Sequence, residues 1–270
     1  MTAMVPVSAV IPCYRCSTTI ERAVASVAAQ TNLPMELILV DDGSTDETRA
    51  VLLDLCSRYQ SGWIRLVLLN KNLGAASARN AGWAVASQPY IAFLDADDAW
   101  HPKKIEIQHA YMSANPDVVL CGHGYKMLHQ NALLNWQVVQ GDAKHIRKSA
   151  LMLSNKFVTP SVMVLRDVGQ RFVENQRHME DHMLWLKIVC SGGRVVKLPG
   201  KLTAIYKEPF GVNGLSAQVW LMERGDLGNY RRLYQEKFVN RFQFAALSIY
   251  SVLKYVRRLL IYLGYLRWKK

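Results

Sequence analysis

A chain of 270 residues, half of them hydrophobic, can bury a full core, which excludes disorder as its main state. Its 33 Lys and Arg against 21 Asp and Glu leave a formal net charge of +12, which points to an anionic partner: nucleic acid, nucleotide phosphates or an anionic membrane surface. No uncharged apolar run approaches the roughly 20 residues that span a bilayer, and residues 1–8 lack a basic region leading into a long apolar stretch, so neither a spanning segment nor a signal peptide is expected.

In chain order, residues 7–12 are continuously apolar, which suits a strand buried on both faces of a parallel sheet. The run ends at Pro12-Cys13-Tyr14. Thr18 or Thr19 then caps a helix to about residue 30, in which Ile20, Val24, Val27 and Ala28 recur at helical spacing. Residues 37–40 form a second strand that runs into Asp41-Asp42-Gly43-Ser44-Thr45-Asp46, a polar turn feeding a helix over 47–59. A third strand, 64–69, ends in Asn70-Lys71-Asn72-Leu73-Gly74, and 75–86 reads as a small-residue helix able to pack closely on the sheet. This β-α-β-α alternation implies right-handed crossovers and a parallel sheet.

The fourth strand, Tyr90-Ile91-Ala92-Phe93, delivers Asp95, Asp97 and Asp98 just before a helix that starts near Pro102. Three carboxylates so close repel one another unless a cation or a set of donors compensates them. A divalent metal carrying an anionic substrate would do so; the plainer reading is an acidic turn capping the next helix. Polar chemistry at Pro12, Asp42 and Asp95 lies on one sheet edge, where open α/β sheets keep their ligands. Neither G-x-G-x-x-G nor the P-loop pattern is present, so any nucleotide must be held through carboxylates and a metal.

The second half is less regular. Strands are expected at 118–122, 136–139 and 157–164, and helices over 143–154 and from Glu180-Asp181 onward, with Met183, Leu184, Leu186 and Ile188 marking a buried face. Acidic residues in a first helical turn are favoured by the helix dipole alone. The five cysteines, odd in number and mostly scattered, read as reduced thiols of a cytosolic protein; Cys13-Tyr14-Arg15-Cys16 lacks the second pair that a structural zinc would want.

Val10-Ile11-Pro12-Cys13-Tyr14, Val40-Asp41-Asp42-Gly43-Ser44-Thr45-Asp46, Asn72-Leu73-Gly74 with Ala78-Arg79-Asn80-Ala81-Gly82, Phe93-Leu94-Asp95-Ala96-Asp97-Asp98, and Glu180-Asp181-x-x-Leu184-Trp185 together resemble the family 2 glycosyltransferases in order and spacing over roughly residues 5–210. The resemblance implies an α/β protein of GT-A fold, a Rossmann-like, mostly parallel central sheet flanked by helices. The catalytic domain would span 1–215, with a nucleotide-binding half over about 1–105 and an acceptor-binding half over about 106–215. A basic, apolar helical extension would follow over 216–270.

What the resemblance implies further is inverting transfer of one sugar from a nucleoside diphosphate sugar, a UDP-sugar leading, to a hydroxyl of a glycan or lipid-linked acceptor in bacterial polysaccharide or lipopolysaccharide synthesis. Pro12, Tyr14, Asp42, Arg79 and Asp95 would bind the nucleotide, Asp97 would bind Mg²⁺ or Mn²⁺, Asp181 would be the general base, and Glu180 and Trp185 would lie at the sugar or acceptor. A tryptophan on an apolar helix face also fits the core. His101, His178 and His182 adjoin the motifs without being expected as ligands. The Q-x-x-R-W pattern of processive synthases is missing, because Arg267-Trp268 is preceded by Gly264 where that pattern has Gln, so single-sugar transfer is expected. A catalytically silent nucleotide-sugar-binding or partner-binding member is the alternative, and a nucleotidyltransferase is disfavoured because residues 12–17 are not a Gly-rich basic loop.

After Glu236 no acidic residue occurs, while Lys237, Arg241, Lys254, Arg257, Arg258, Arg267, Lys269 and Lys270 follow among aromatic and aliphatic residues. Ser251, Lys254, Arg257 and Arg258 fall roughly on one side of a helix. Residues 237–270 are expected to lie on an anionic, cytosolic membrane face, or else to pack on the catalytic domain or a second copy; nucleic acid is not expected as a partner.

Overall fold

The computed structural model describes residues 3–129, 135–136, 141–206 and 219–268. Strand β1 (Ala3–Cys13) is followed by α1 (Ile20–Ala28), β2 (Asn32–Asp41), α2 (Thr48–Arg58), β3 (Ile64–Leu68), α3 (Ala75–Val85) and β4 (Tyr90–Phe93). Then come β5 (Ala99–Trp100), α4 (Lys104–Ala114), β6 (Val118–Leu128), β7 (Lys144–His145), α5 (Lys148–Leu153), β8 (Met163–Leu165), α6 (Glu180–Cys190), β9 (Arg194–Tyr206), α7 (Val219–Gln235) and α8 (Arg241–Trp268). The sheet order is β3-β2-β1-β4-β8-β6-β9-β5, with β7 paired to β9. Its β3-β2-β1-β4 half is wholly parallel, and β8 joins it to β6 through antiparallel pairings.

The alternation of side chains along the central strands creates two apolar layers. Ala9, Ile11, Leu37 and Leu39 face Ile20, Val24 and Val27 of α1, whereas Val10, Ile38, Val40, Ile91 and Phe93 share the opposite layer with Trp83 of α3 and with Leu184 and Trp185 of α6. Each large side chain so buried contributes roughly 1.5–3 kcal/mol. Helix α3 lies close because Gly82 has no side chain: a Cβ there would meet Val10 Cγ1 at 2.5 Å. The small-residue reading of this helix holds.

Three local expectations change. The helix expected from residue 143 starts at Lys148, because Lys144 and His145 pair with Lys197 and Val196 of β9. Of 157–164, only Met163 onward is strand; Thr159–Ser161 is a 3₁₀ turn around Pro160, whose missing N–H cannot serve a ladder. Strand β9 has no counterpart in the sequence reading, since Lys197, Pro199, Gly200 and Lys201 break its apolar pattern. Its pairing with β6 shifts register near Gly124, opposite that break. The strand expected at 136–139 lies, apart from Trp136, outside the described residues.

Helices α7 and α8 form the C-terminal extension. Tyr230 and Leu233 of α7, with Leu247 of α8, are buried in the same layer as α6. The Tyr230 hydroxyl donates to the Met152 carbonyl at 2.8 Å.

Candidate active site

The carboxyl ends of β2 and β4 and the start of α6 carry the acidic groups picked out in the sequence, and the end of β1 carries Pro12 and Tyr14. At the end of β2 the two adjacent aspartates divide their work. Asp41, fully buried, accepts from the Ser44 N–H and from Arg49, which ties down the turn. Asp42 accepts the Leu73 and Gly74 N–H groups, one per oxygen, each at 2.8 Å, and so anchors the loop that launches α3. Burial raises the Asp42 carboxyl above its ordinary pKa against the opposing pull of those two N–H groups. Pro12, near the end of β1, is in register with Val40, and the Asp42 N–H donates to the Cys13 carbonyl, after which Tyr14 follows. Tyr14 is exposed, and the chain turns at Arg15, whose N–H donates to Ser44 and whose guanidinium donates to Thr45.

Arg79, in the second turn of α3, is buried between two carboxylates. Its Nη2 lies 2.7 Å from Asp95 and its Nη1 lies 3.1 Å from Glu180. Burial works against its charge, and Asp95 and Glu180 more than offset that, so its pKa is raised. One guanidinium therefore ties the acidic turn after β4 to the first turn of α6. In the same turn, the Asp97 carbonyl accepts from Arg22, which also lies over the Tyr206 ring at 3.8 Å, and Asp98 accepts the Tyr206 N–H.

Helix α6 starts from Met179 in a left-handed conformation, φ 57°. That backbone costs a residue with a Cβ of order 1 kcal/mol or more, and neighbours must hold it. The Asn229 side chain of α7 donates to the Met179 carbonyl at 2.9 Å and accepts from Gln176. Gly225, also on α7, lets the two segments touch: a Cβ there would stand 2.9 Å from the His178 carbonyl. Asp181 accepts from Asn155 at 3.0 Å and from the His182 N–H. Burial pushes its carboxyl above the ordinary range, and burial does the same for Glu180, although Arg79 opposes both.

The structure thus brings Arg79, Asp95 and Glu180 together, with Asp181 next in the chain. It does not bring Trp185 to the site. That ring is fully buried and edge-on to Phe172 at 6.0 Å. His182 is likewise enclosed, between the Leu151 carbonyl and Asp226. Asn155, Asp226 and Asn229 were not singled out in the sequence. Each is a lone polar residue outside any motif, and only its contact partner marks it.

Among the described residues no group of three or more His, Cys, Asp or Glu could hold a metal by itself. A Mg²⁺-like ion needs only one or two protein carboxylates when substrate phosphates and water complete its shell. The acidic turn fits an ion that arrives with a diphosphate rather than a resident one.

A half-parallel α/β sheet with acids at its strand ends, faced by an acidic helix start, agrees with the GT-A architecture that the sequence motifs imply. Residues 8–167 match the family described as Glycosyl transferase family 2, and the chain belongs to that family. Among its relatives is WfgD of Escherichia coli, named as a UDP-Glc:alpha-D-GlcNAc-diphosphoundecaprenol beta-1,3-glucosyltransferase. The two are 32% identical over 183 residues, 68% of this chain and 69% of WfgD. S. aureus TarS 1-349 in complex with UDP-GlcNAc superposes with a TM-score of 0.69 at 16% identity, covering 90% of this chain and 70% of that one. The mannosyltransferase PcManGT of Pyrobaculum calidifontis, in complex with GDP-Man and Mn²⁺, gives 0.63 at 17% identity over 85% of this chain and 64% of its own. At these identities the two structures show the shared fold.

Proposed function

We propose that this glycosyltransferase moves one sugar, with inversion, from a nucleoside diphosphate sugar to a hydroxyl of a lipid-linked glycan. The observation that carries the reading is the Arg79 bridge, which sets the acidic turn of Asp95 beside the helix start bearing Asp181. Inversion needs two separate acidic sites, one for the leaving group and one for the base on the opposite face of the sugar. Asp181, held by Asn155, accepts the proton of the acceptor hydroxyl as it attacks. Asp42 and Tyr14 line the place for the base, and Asp95 the place for the ribose. Asp97 would hold Mg²⁺ or Mn²⁺, and such an ion, when bound, offsets the charge left on the departing diphosphate.

UDP is the leading carrier, because WfgD is named for UDP-Glc and TarS was solved with UDP-GlcNAc. The name of WfgD also supports a diphosphate-lipid acceptor, and with it polysaccharide assembly on the cytosolic face of a membrane. The catalytic domain is read as 1–215 and the extension as 216–270. The test is transfer from a panel of UDP-, GDP- and dTDP-sugars to a lipid-linked acceptor, with and without EDTA. Turnover indifferent to EDTA removes the metal role of Asp97, and full turnover in Asp181→Asn removes the base.

A further inference from the structure

Helix α8 has its polar side turned toward the enzyme. Leu247 and Ser251 are buried, Phe244 packs on the core layer of α6, and Lys254 donates to the Leu153 carbonyl at 3.2 Å. The Lys254 ammonium also stands 3.9 Å from Asp226 of α7. Facing away are Phe242, Ile249, Leu253, Val256 and Leu260, which with Ala246 repeat every three or four residues and so form one stripe. Phe242 is 84% exposed, Leu253 63% and Leu260 64%. A continuous apolar surface of this kind on a folded protein marks an interaction site.

The stripe could seat on a second copy of the helix, since its spacing resembles a coiled-coil seam. Charge argues otherwise. From Lys237 to the last residue the chain carries eight Lys and Arg and no Asp or Glu, so two paired copies would bring like charges together. Arg257 flanks the stripe and is exposed, whereas Arg258, seven residues after Ser251, lies on the opposite side. An anionic lipid surface answers both features, offering an acyl boundary to the stripe and headgroups to Arg257. Among the described residues no helix is long and apolar enough to cross a membrane, so the helix would lie along the surface.

We infer that α8 is a membrane-seating helix whose Phe242-to-Leu260 stripe enters the headgroup boundary of an anionic bilayer, while its Ser251 and Lys254 side is fastened to the catalytic domain. The inference deepens the membrane location proposed above, but vesicle binding needs neither donor nor acceptor and so fails separately from that reading.

The full chain is sedimented with vesicles of phosphatidylcholine with and without phosphatidylglycerol. The expected result is binding that requires the anionic lipid and weakens as salt is raised. The double substitution Leu253→Asn/Leu260→Asn lowers binding about tenfold or more, with nucleotide-sugar hydrolysis and the urea midpoint unchanged. Arg257→Gln weakens the anionic preference. Equal sedimentation with and without vesicles overturns the inference, as does vesicle binding that the double substitution leaves intact. A wild-type dimer that the same substitution splits into monomers, with no vesicle binding, makes a second copy the occupant and also overturns it.

Discussion

Arg79 and Glu180 meet at 3.1 Å although 101 residues separate them, and the same guanidinium holds Asp95 at 2.7 Å. Removing it leaves two carboxylates facing each other in a half-buried place. Arg79→Ala is expected to cost about 3 kcal/mol of stability, read as a lowered urea midpoint. Arg79→Lys keeps the charge but cannot span both partners, so it recovers part of the stability without wild-type transfer. A midpoint unmoved by Arg79→Ala would show that the bridge contributes nothing.

Asp181 must be ionised to accept a proton, and burial raises its pKa. Transfer should therefore fall as the pH drops through a value above that of an ordinary aspartate. The Asn155 side chain donates to the ionised form at 3.0 Å, which favours ionisation. Asn155→Ala is expected to move the acid limb of the kcat profile to higher pH. A limb that stays put, or moves to lower pH, separates Asn155 from the base.

The left-handed Met179 is held from α7, by Asn229 at 2.9 Å. In Asn229→Ala the first turn of α6 loses that anchor and the base loses its fixed position. We expect kcat to fall about tenfold, the loss typical of a misplaced catalytic group, with the KM for donor unchanged. An equal change in both parameters, or in neither, would count against a positioning role.

Lys104 is fully buried, with its ammonium 3.7 Å from the centre of the Trp100 ring, and burial drives its pKa well below the usual lysine value. Its Nζ has no hydrogen-bond partner among the described residues. The unfolded chain binds this proton more readily than the folded one, so the residue destabilises the fold as pH falls below the ordinary lysine pKa, and the penalty is complete below the lowered one. Lys104→Met should raise stability at neutral pH by about 1–3 kcal/mol and flatten that part of the pH dependence. A destabilised variant would mean that the contact with Trp100 outweighs the cost of burying the amine.

Much of the first 105 residues was legible because their cues are local. The strands before Tyr14, Asp42 and Asp95 are short apolar runs bounded by polar turns, and the helices between them repeat at helical spacing. The second half was harder. Strand β9 is interrupted by Pro199 and Gly200, and the 3₁₀ turn at Thr159–Ser161 sits inside an apolar stretch that reads as strand.

By itself the sequence showed the family through its motifs, and the β-α-β-α alternation that ends in Asp42 and in Asp95 through local periodicity and turn chemistry. Only the tertiary structure decided what those groups touch. It put Arg79 between Asp95 and Glu180, buried Trp185 against Phe172, gave Asp181 its Asn155 and Met179 its Asn229, and turned the polar side of α8 inward. The reason is physical. A helix with two usable faces has no preference encoded in its own spacing, and which face is buried depends on the partners that distant segments bring to it.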